Sequence, residues 1–156
     1  CVACHSNHLI KLPGDDWLGV VGEQSCGQCH TQGEKGFQVA VAIRSRVDSL
    51  CSQEAEASRL VHEAEVRGIE VSEAQDLLKQ AHDGLLQVRT ITHTVDEVKV
   101  GIAADSGMAV AVQAAALGQK GIEDFRFRGR GLGVASILIT LLIIALWLKL
   151  RQIEKK

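Results

Sequence analysis

The sequence predicts a mainly α-helical protein with an irregular N-terminal segment, a long antiparallel helical hairpin and one C-terminal transmembrane helix. Apolar residues recur at three- and four-residue steps over 36–67 and again over 72–118, which is the period of an amphipathic helix. Residues 131–148 carry no charge. The first 35 residues hold the only proline and five glycines, which is typical of irregular chain.

Charge and composition narrow the function classes. Residues 1–125 have a net charge of −8 and residues 126–156 a net charge of +6, so the larger part of the chain does not favour a nucleic-acid partner. Aromatic residues make up 3% of the chain and tyrosine is absent. A core built only from ordinary side chains is hard to form at that composition, and a large apolar cofactor would compensate for it.

The hairpin is predicted from residues 36 to 118. Gly68 is placed as the stop signal of a first helix over 36–67. The run Ser72-Glu73-Ala74-Gln75 has the pattern of a capping box, which starts a second helix that ends near residue 118. Gly101 and Gly107 predict a kink in that second helix.

The C-terminal part is predicted to cross a membrane once. A Gly/Arg linker over 119–130 carries Arg126, Arg128 and Arg130, which suit lipid headgroups. Residues 131–150 form the transmembrane anchor, since 18 uncharged residues reach the length that spans a bilayer. A buried core helix is the alternative. Residues 151–156 form a short polar tail.

Two copies of a C-x-x-C-H motif carry the chemistry. Cys1, Cys4 and His5 form the first, and Cys26, Cys29 and His30 form the second. This spacing suits covalent attachment of a c-type haem, in which two thiols bond to the porphyrin and the histidine binds the iron. A zinc site is one alternative, but zinc does not need a histidine after each pair. A disulfide framework is another, but it leaves both histidines unexplained.

The motifs predict two haems c, with His5 and His30 as proximal iron ligands. A low-spin haem needs a second strong ligand. The candidates, in order of preference, are His93, His62, His8 and His82. Eleven residues separate His82 from His93, so on one unbroken helix they would share a face about 16 Å apart. Cys51 has no partner in the sequence, and we predict a buried small residue on a helix; a crosslink to a neighbouring chain is the alternative.

Location follows from the haem prediction. Haem attachment of this kind occurs outside the cytoplasm, so we expect a cytoplasmic-membrane protein with its haems on the periplasmic, extracytoplasmic side and its C-terminus in the cytoplasm. The first residue is already a predicted haem-attachment cysteine, so we expect this sequence to begin inside a longer protein with further haems upstream.

The two motifs, followed by a hairpin that turns through residues 65–74, resemble multihaem cytochromes c of the pentahaem nitrite reductase and octahaem oxidoreductase kind. The resemblance covers about half of the chain. It implies haem c as the cofactor and distal histidines from outside the motifs, a role that falls here to His93 or His62. Both motifs end in His, unlike the lysine-ligated catalytic haem motif of nitrite reductases.

The function predicted from these features is electron transfer between a membrane donor, quinone-linked in the simplest case, and an extracytoplasmic acceptor. No catalytic residue is assigned. One alternative is a haem-based oxidoreductase acting on a small nitrogen or sulfur compound, which requires an iron with an open position. The other is a haem-bearing assembly subunit of a larger membrane redox complex. Expected partners are other redox proteins or membrane subunits.

Overall fold

The computed structural model describes residues 2–5, 8, 12–22 and 24–154. Those residues are mainly helical and contain no β-strand, which confirms the predicted class. The helices are α1 (Val2–His5), α2 (Lys35–Val66), α3 (Ser72–Ile91) and α4 (Glu97–Glu154). Three short 3-10 turns lie between them, at Asp15–Trp17, Cys26–Gln28 and Thr92–Thr94.

The end of α2 follows the predicted stop signal. Gly68 adopts the left-handed conformation, with φ of 76°. Its amide donates to the carbonyl of Glu65 at 2.8 Å, and the amide of Ile69 donates to the carbonyl of Ala64 at 3.2 Å. This pair of bonds is a Schellman motif, in which glycine carries the positive φ at no steric cost. The chain therefore reverses at this point.

The next helix begins at the predicted residue but with a different cap. Ser72 is already helical, and the residue that caps α3 is Val71. The free amide of Ser72 donates to the side chain of Glu70 at 2.8 Å. The expected capping box is therefore replaced by a carboxylate two residues upstream, which also suits the positive end of the helix dipole.

The second arm of the predicted hairpin is two helices, because the chain breaks again between Ile91 and Glu97. Val95 has a positive φ of 51°, which is unusual for a β-branched residue. Asp96 then caps α4, since its carboxylate accepts the amides of Val98 and Lys99, both at 3.1 Å. The prediction of a single long second helix was wrong, because α3 and α4 take its place. Together with α2 they form a three-helix bundle.

Helices α2 and α4 run parallel in this bundle, and α3 runs antiparallel to both. Arg46 pairs with Asp105 at 2.8 Å near the starts of α2 and α4, and Leu60 meets Gly118 further along both helices. Seven of the ten buried residues of α4 repeat in steps of four and three, as in a coiled-coil seam. These seven are Val100, Ala104, Gly107, Ala111, Ala114, Gly118 and Gly121. Nearly all are small, so the helices approach closely.

Gly107, Gly118 and Gly121 serve this close packing, and α4 continues through them as one helix. A Cβ added at Gly107 would lie 3.2 Å from a methyl group of Leu50. At Gly118 it would lie 2.8 Å from backbone atoms of Leu60 and Val61. Gly101 is buried inside the same continuous helix. The second arm of the hairpin is therefore interrupted earlier than the kink predicted near Gly101–Gly107, at the capped turn before α4.

Residues 119–130, predicted as a linker, belong to the continuous helix α4. Ile122 is the last buried residue of that helix, and every described residue after it is exposed. Among the described residues, α4 is the one helix long and apolar enough to cross a membrane, and its most apolar window is not buried in the protein. This is consistent with a single-pass membrane protein.

Close packing at Gly118 can be tested with a matched pair of glycines in α4. Gly118→Ala would push a methyl group into the backbone of α2, and we expect a loss of about 1–3 kcal/mol in the free energy of unfolding. Gly129 has no atom within 4 Å of its added Cβ. Gly129→Ala should therefore stabilise the exposed helix by about 0.5–1 kcal/mol.

Both variants can be compared by denaturant unfolding of the detergent-solubilised protein, followed by far-ultraviolet circular dichroism. We expect the free energy of unfolding to fall in Gly118→Ala and to rise in Gly129→Ala. Equal small gains in both variants would show that α4 does not approach α2 at Gly118.

Candidate haem site

The first motif brings its histidine against two rings from elsewhere in the chain. Cys1 lies outside the described residues, and Cys4 is a free, exposed thiol. The half-buried ring of His5 lies 5.7 Å from Trp17, measured between ring centres. It lies 6.2 Å from His93, with only 13° between the two ring planes. The fold therefore places His93, the preferred candidate, beside the first motif.

The rings of His5 and His93 are stacked, with 6.2 Å between their centres. A motif histidine and a histidine from a distant turn therefore come within reach of the same bound group. The Nδ1 atom of His93 lies 3.1 Å from the carbonyl oxygen of Thr90. A hydrogen bond from Nδ1–H to that carbonyl orients the ring and leaves the lone pair of Nε2 available to bind a metal.

His93 reaches this position because α3 has already ended. It lies in the turn Thr92–Thr94, where the Thr92 hydroxyl donates to the carbonyl of Arg89 at 2.6 Å. The Thr94 hydroxyl donates to the carbonyl of Ile91 at 2.8 Å. These side-chain bonds stabilise the turn and expose His93 at the tip of the bundle.

The second motif is one helical turn. The amide of His30 donates to the carbonyl of Cys26 at 3.0 Å, and that of Cys29 donates to the same oxygen at 3.3 Å. This turn brings the two thiols, both free, to neighbouring positions. Gly27 is required inside it, because an added Cβ would lie 2.7 Å from the carbonyl oxygen of Val20. The preceding loop therefore packs directly on the motif.

His30 lies against the first turn of α2. Its ring occupies the space where a Cβ on Gly36 would be, within 2.5 Å of Nδ1. Nδ1 also lies 3.4 Å from the carboxylate of Glu34. The pKa of Glu34 is lowered, first by the amide of Thr31 and then by His30. As at His93, the partner of Nδ1 leaves Nε2 available to a metal.

A partly buried ion pair attaches the loop between the motifs to the bundle. Asp15 accepts two bonds from the guanidinium of Arg89, at 2.9 and 2.7 Å. Arg44 of α2 donates to the backbone carbonyls of Asp15 and Leu18. The bond from Arg89 lowers the pKa of the Asp15 carboxyl. Because Arg89 is one turn before His93, this pair anchors the loop close to the paired rings.

Cys51 takes part in the same contact. It lies partly buried on α2, and its sulfur is 3.4 Å from the carboxylate of Asp15. Burial, followed by the neighbouring carboxylate, raises the pKa of this thiol. The neutral thiol is therefore favoured, and thiolate chemistry is suppressed. The helix position agrees with the prediction.

A shallow groove of about 340 Å³ lies between the loop before the second motif and α2. Val20, Val21 and Val41 line it together with Arg44 and Asp48. Arg44 and Asp48 form an ion pair, so the charge of Arg44 is already matched within the groove.

The other candidate histidines lie apart from the paired rings. Twenty-six residues of α2 separate His62 from Gly36, about 39 Å along the helix axis. His82 contacts Glu54 of α2 at 2.8 Å and points out of the bundle side. It shares no helix with His93, because α3 ends at Ile91, so the predicted common face of these two was wrong. His8 is exposed.

Within the described part of the chain, no three His, Cys, Asp or Glu side chains form a cluster that could hold a metal ion. The feature that sequence reasoning missed is the Asp15–Arg89 pair. Asp15 and Arg89 are 74 residues apart and belong to no motif, so no sequence signal identifies them as partners.

No protein-family model, no curated protein and no solved structure matches this chain. The function is therefore inferred from the chemistry of the two motifs and from the residues that the fold places around them.

The Asp15–Arg89 pair is predicted to hold the N-terminal loop in place. Asp15→Asn removes the charge that binds the guanidinium, and we expect a loss of about 1–2 kcal/mol in stability, seen as faster proteolysis within residues 12–22. Asp16→Asn is the matched control, because Asp16 is exposed beside it. Equal proteolysis rates in both variants would contradict the role of Asp15.

The pair also predicts a pH dependence. Since the pKa of Asp15 is lowered in the folded state, its contribution to stability is complete above its ordinary pKa of about 4 and is lost as pH falls through the lowered value. Asp15→Asn should therefore lack this part of the acid sensitivity. Acid titration of the unfolding midpoint, below about pH 4 in parent and variant, measures the difference.

Proposed function

We propose that this chain is a membrane-anchored multihaem c-type cytochrome that transfers electrons on the extracytoplasmic side of a membrane. The observation that carries the proposal is the pairing of His5 with His93, at 6.2 Å between ring centres and 13° between planes. One of these residues belongs to a C-x-x-C-H motif, and the other lies 88 positions away on a turn that holds its Nδ1 atom.

The residues present suit two haems. Cys1 with Cys4, and Cys26 with Cys29, are the thiol pairs that would bind the porphyrins. His5 and His93 would hold the iron of the first haem, and His30 would hold the iron of the second. A haem supplies one-electron redox chemistry when bound, with a potential set by its axial ligands and its surroundings. The carbonyl of Thr90 orients the ring of His93, and Trp17 lies against the ring of His5.

Paired imidazoles favour electron transfer over catalysis. An iron with a histidine on each side has no open position for a substrate, so the first haem does not suit reduction of a small nitrogen or sulfur compound. The C-terminal part of α4 anchors the protein, with the residues after Leu150 on the cytoplasmic side. Arg126, Arg128 and Arg130 lie exposed just before the apolar run, where they suit anionic headgroups.

Covalent haem is the first prediction to test. The chain, expressed with a haem-attachment system in the periplasm, should carry two haems, measured as pyridine haemochrome per polypeptide. Cys26→Ser with Cys29→Ser should retain one haem, because the first motif is separate from the second. Cys51→Ser is the control and should retain both. A zinc-loaded, haem-free product would contradict the proposal.

The pairing of His5 with His93 predicts a spin-state change. In the oxidised protein, His93→Ala should remove one low-spin ferric signal and add one high-spin signal per chain, seen by low-temperature electron paramagnetic resonance. His62→Ala is the control and should change neither signal, because His62 lies far along α2 from both motifs. An unchanged spectrum in His93→Ala would show that another residue binds that iron.

A second candidate is a subunit of a larger redox complex, favoured by exposed apolar side chains in the first turns of α4. Val98 and Ile102 are 70% and 68% exposed. An exposed apolar surface of this kind suits a protein partner. Native mass measurement of the complex extracted from its own membrane tests this candidate, and a monomer that keeps all its haem would exclude it.

A further inference from the structure

Both motifs lie at one end of the three-helix bundle. α2 begins at Lys35, five residues after His30, and α4 begins at Glu97, four residues after His93. Because α2 and α4 run parallel, their first turns lie at the same end of the bundle. The bond between Asp15 and Arg89 attaches the loop between the motifs to that end as well. We call it the motif end.

The apolar part of α4 leaves from the opposite end. There the turn after α2 packs on α4, and Ile69 lies 3.0 Å from the position of a Cβ on Gly121. Ile122 is the last buried residue of α4. The helix then continues alone, fully exposed, into the uncharged run that starts at Gly131. The bundle therefore separates the motifs from the membrane span.

The distance from the motif end to the start of the membrane span exceeds the thickness of the hydrocarbon core of a bilayer. Thirty-four residues of one continuous helix lie between Glu97 and Gly131, which corresponds to about 50 Å at a rise of about 1.5 Å per residue. A helix tilt of about 40°, near the upper limit for transmembrane helices, still leaves about 40 Å. The hydrocarbon core that holds a lipid-soluble quinol is about 30 Å thick.

We infer that the bundle is a spacer that holds the motif end about 40–50 Å outside the bilayer, and that the direct electron donor to these two motifs is a one-electron carrier outside the membrane. The rate of electron transfer falls steeply with distance, so a quinol inside the bilayer is too far away. The reduced carrier loses one electron and a ferric iron gains it, with no proton moved and no bond broken. The redox half rests on the proposed function, whereas the spacer half does not.

The spacer can be measured in the full haem-loaded chain, reconstituted in phosphatidylcholine–phosphatidylglycerol vesicles. In a Cys51→Ser background, Val98→Cys and Phe127→Cys place a fluorophore at either end of the exposed side of α4, where the native side chains are 70% and 79% exposed. The fluorescence intensity of each label is measured in vesicles with and without a quencher attached to the lipid headgroups. Quenching by haem is the same in both and cancels in the ratio of the two intensities. We expect the label at 127 to lose more than half of its intensity and the label at 98 to be unchanged. Equal quenching at both positions would overturn the spacer, because the bundle would then lie on the membrane.

The donor is tested in the same vesicles by haem absorbance. A reduced small soluble c-type cytochrome should reduce the haems, and a water-insoluble quinol in the bilayer should do so at least roughly tenfold more slowly. Comparable rates would overturn the inferred donor while leaving covalent haem, and so the proposed function, intact. A chain without covalent haem would overturn the proposed function and the redox half together. Once the four motif cysteines were also changed to serine, the fluorescence ratio would still decide the spacer.

Discussion

The close approach of α4 to α2 is the contact on which the rest of the structure depends. At Gly118 the two backbones are so near that a single methyl group would meet the atoms of Leu60 and Val61. The same spacing in sequence relates Val47 to Ala104 and Leu50 to Gly107, so a larger side chain of α2 faces a smaller residue of α4. Two helices that pack in parallel need a return segment, and α3 supplies it. The bundle thereby forms a dense core with few aromatic residues.

Much of this fold could be predicted from the sequence. The helical period, the stop at Gly68 and the uncharged run after residue 130 each depend on neighbouring residues, and each is read within a few turns of chain. The break at Thr92–Asp96 could not be predicted so easily. Its apolar residues continue the helical period, and the break depends on a β-branched residue at positive φ. Asp96 is the one local signal, since aspartate is a favoured N-cap. Gly107 suggested a kink for a related reason. Its role is close contact with Leu50 of α2, which cannot be recognised from its neighbours in sequence.

The candidate site divides in the same way. The motif cysteines and their histidines are adjacent in sequence, so their chemistry can be predicted from spacing alone. The histidine that lies beside His5 cannot be predicted in this way. The four candidate histidines are chemically equivalent until the fold separates them. The turn after α3 brings His93 to the first motif, whereas α2 carries His62 far along the bundle. Asp15 and Arg89 show the same limit, because neither residue belongs to a recognisable pattern.

The N-terminal segment shows how a chain with little core of its own can be held in place. Outside its short helical turns it has few buried apolar side chains. Leu18 packs against the core of the bundle, and Arg44, Arg89 and Cys51 add polar attachments. Charged hydrogen bonds of this kind position a loop well but contribute only a few kcal/mol. Two large apolar rings bonded to the same segment would bury the surface that side chains do not. In the proposed haem-loaded protein, the polar contacts would fix where the rings lie and the rings would provide the core.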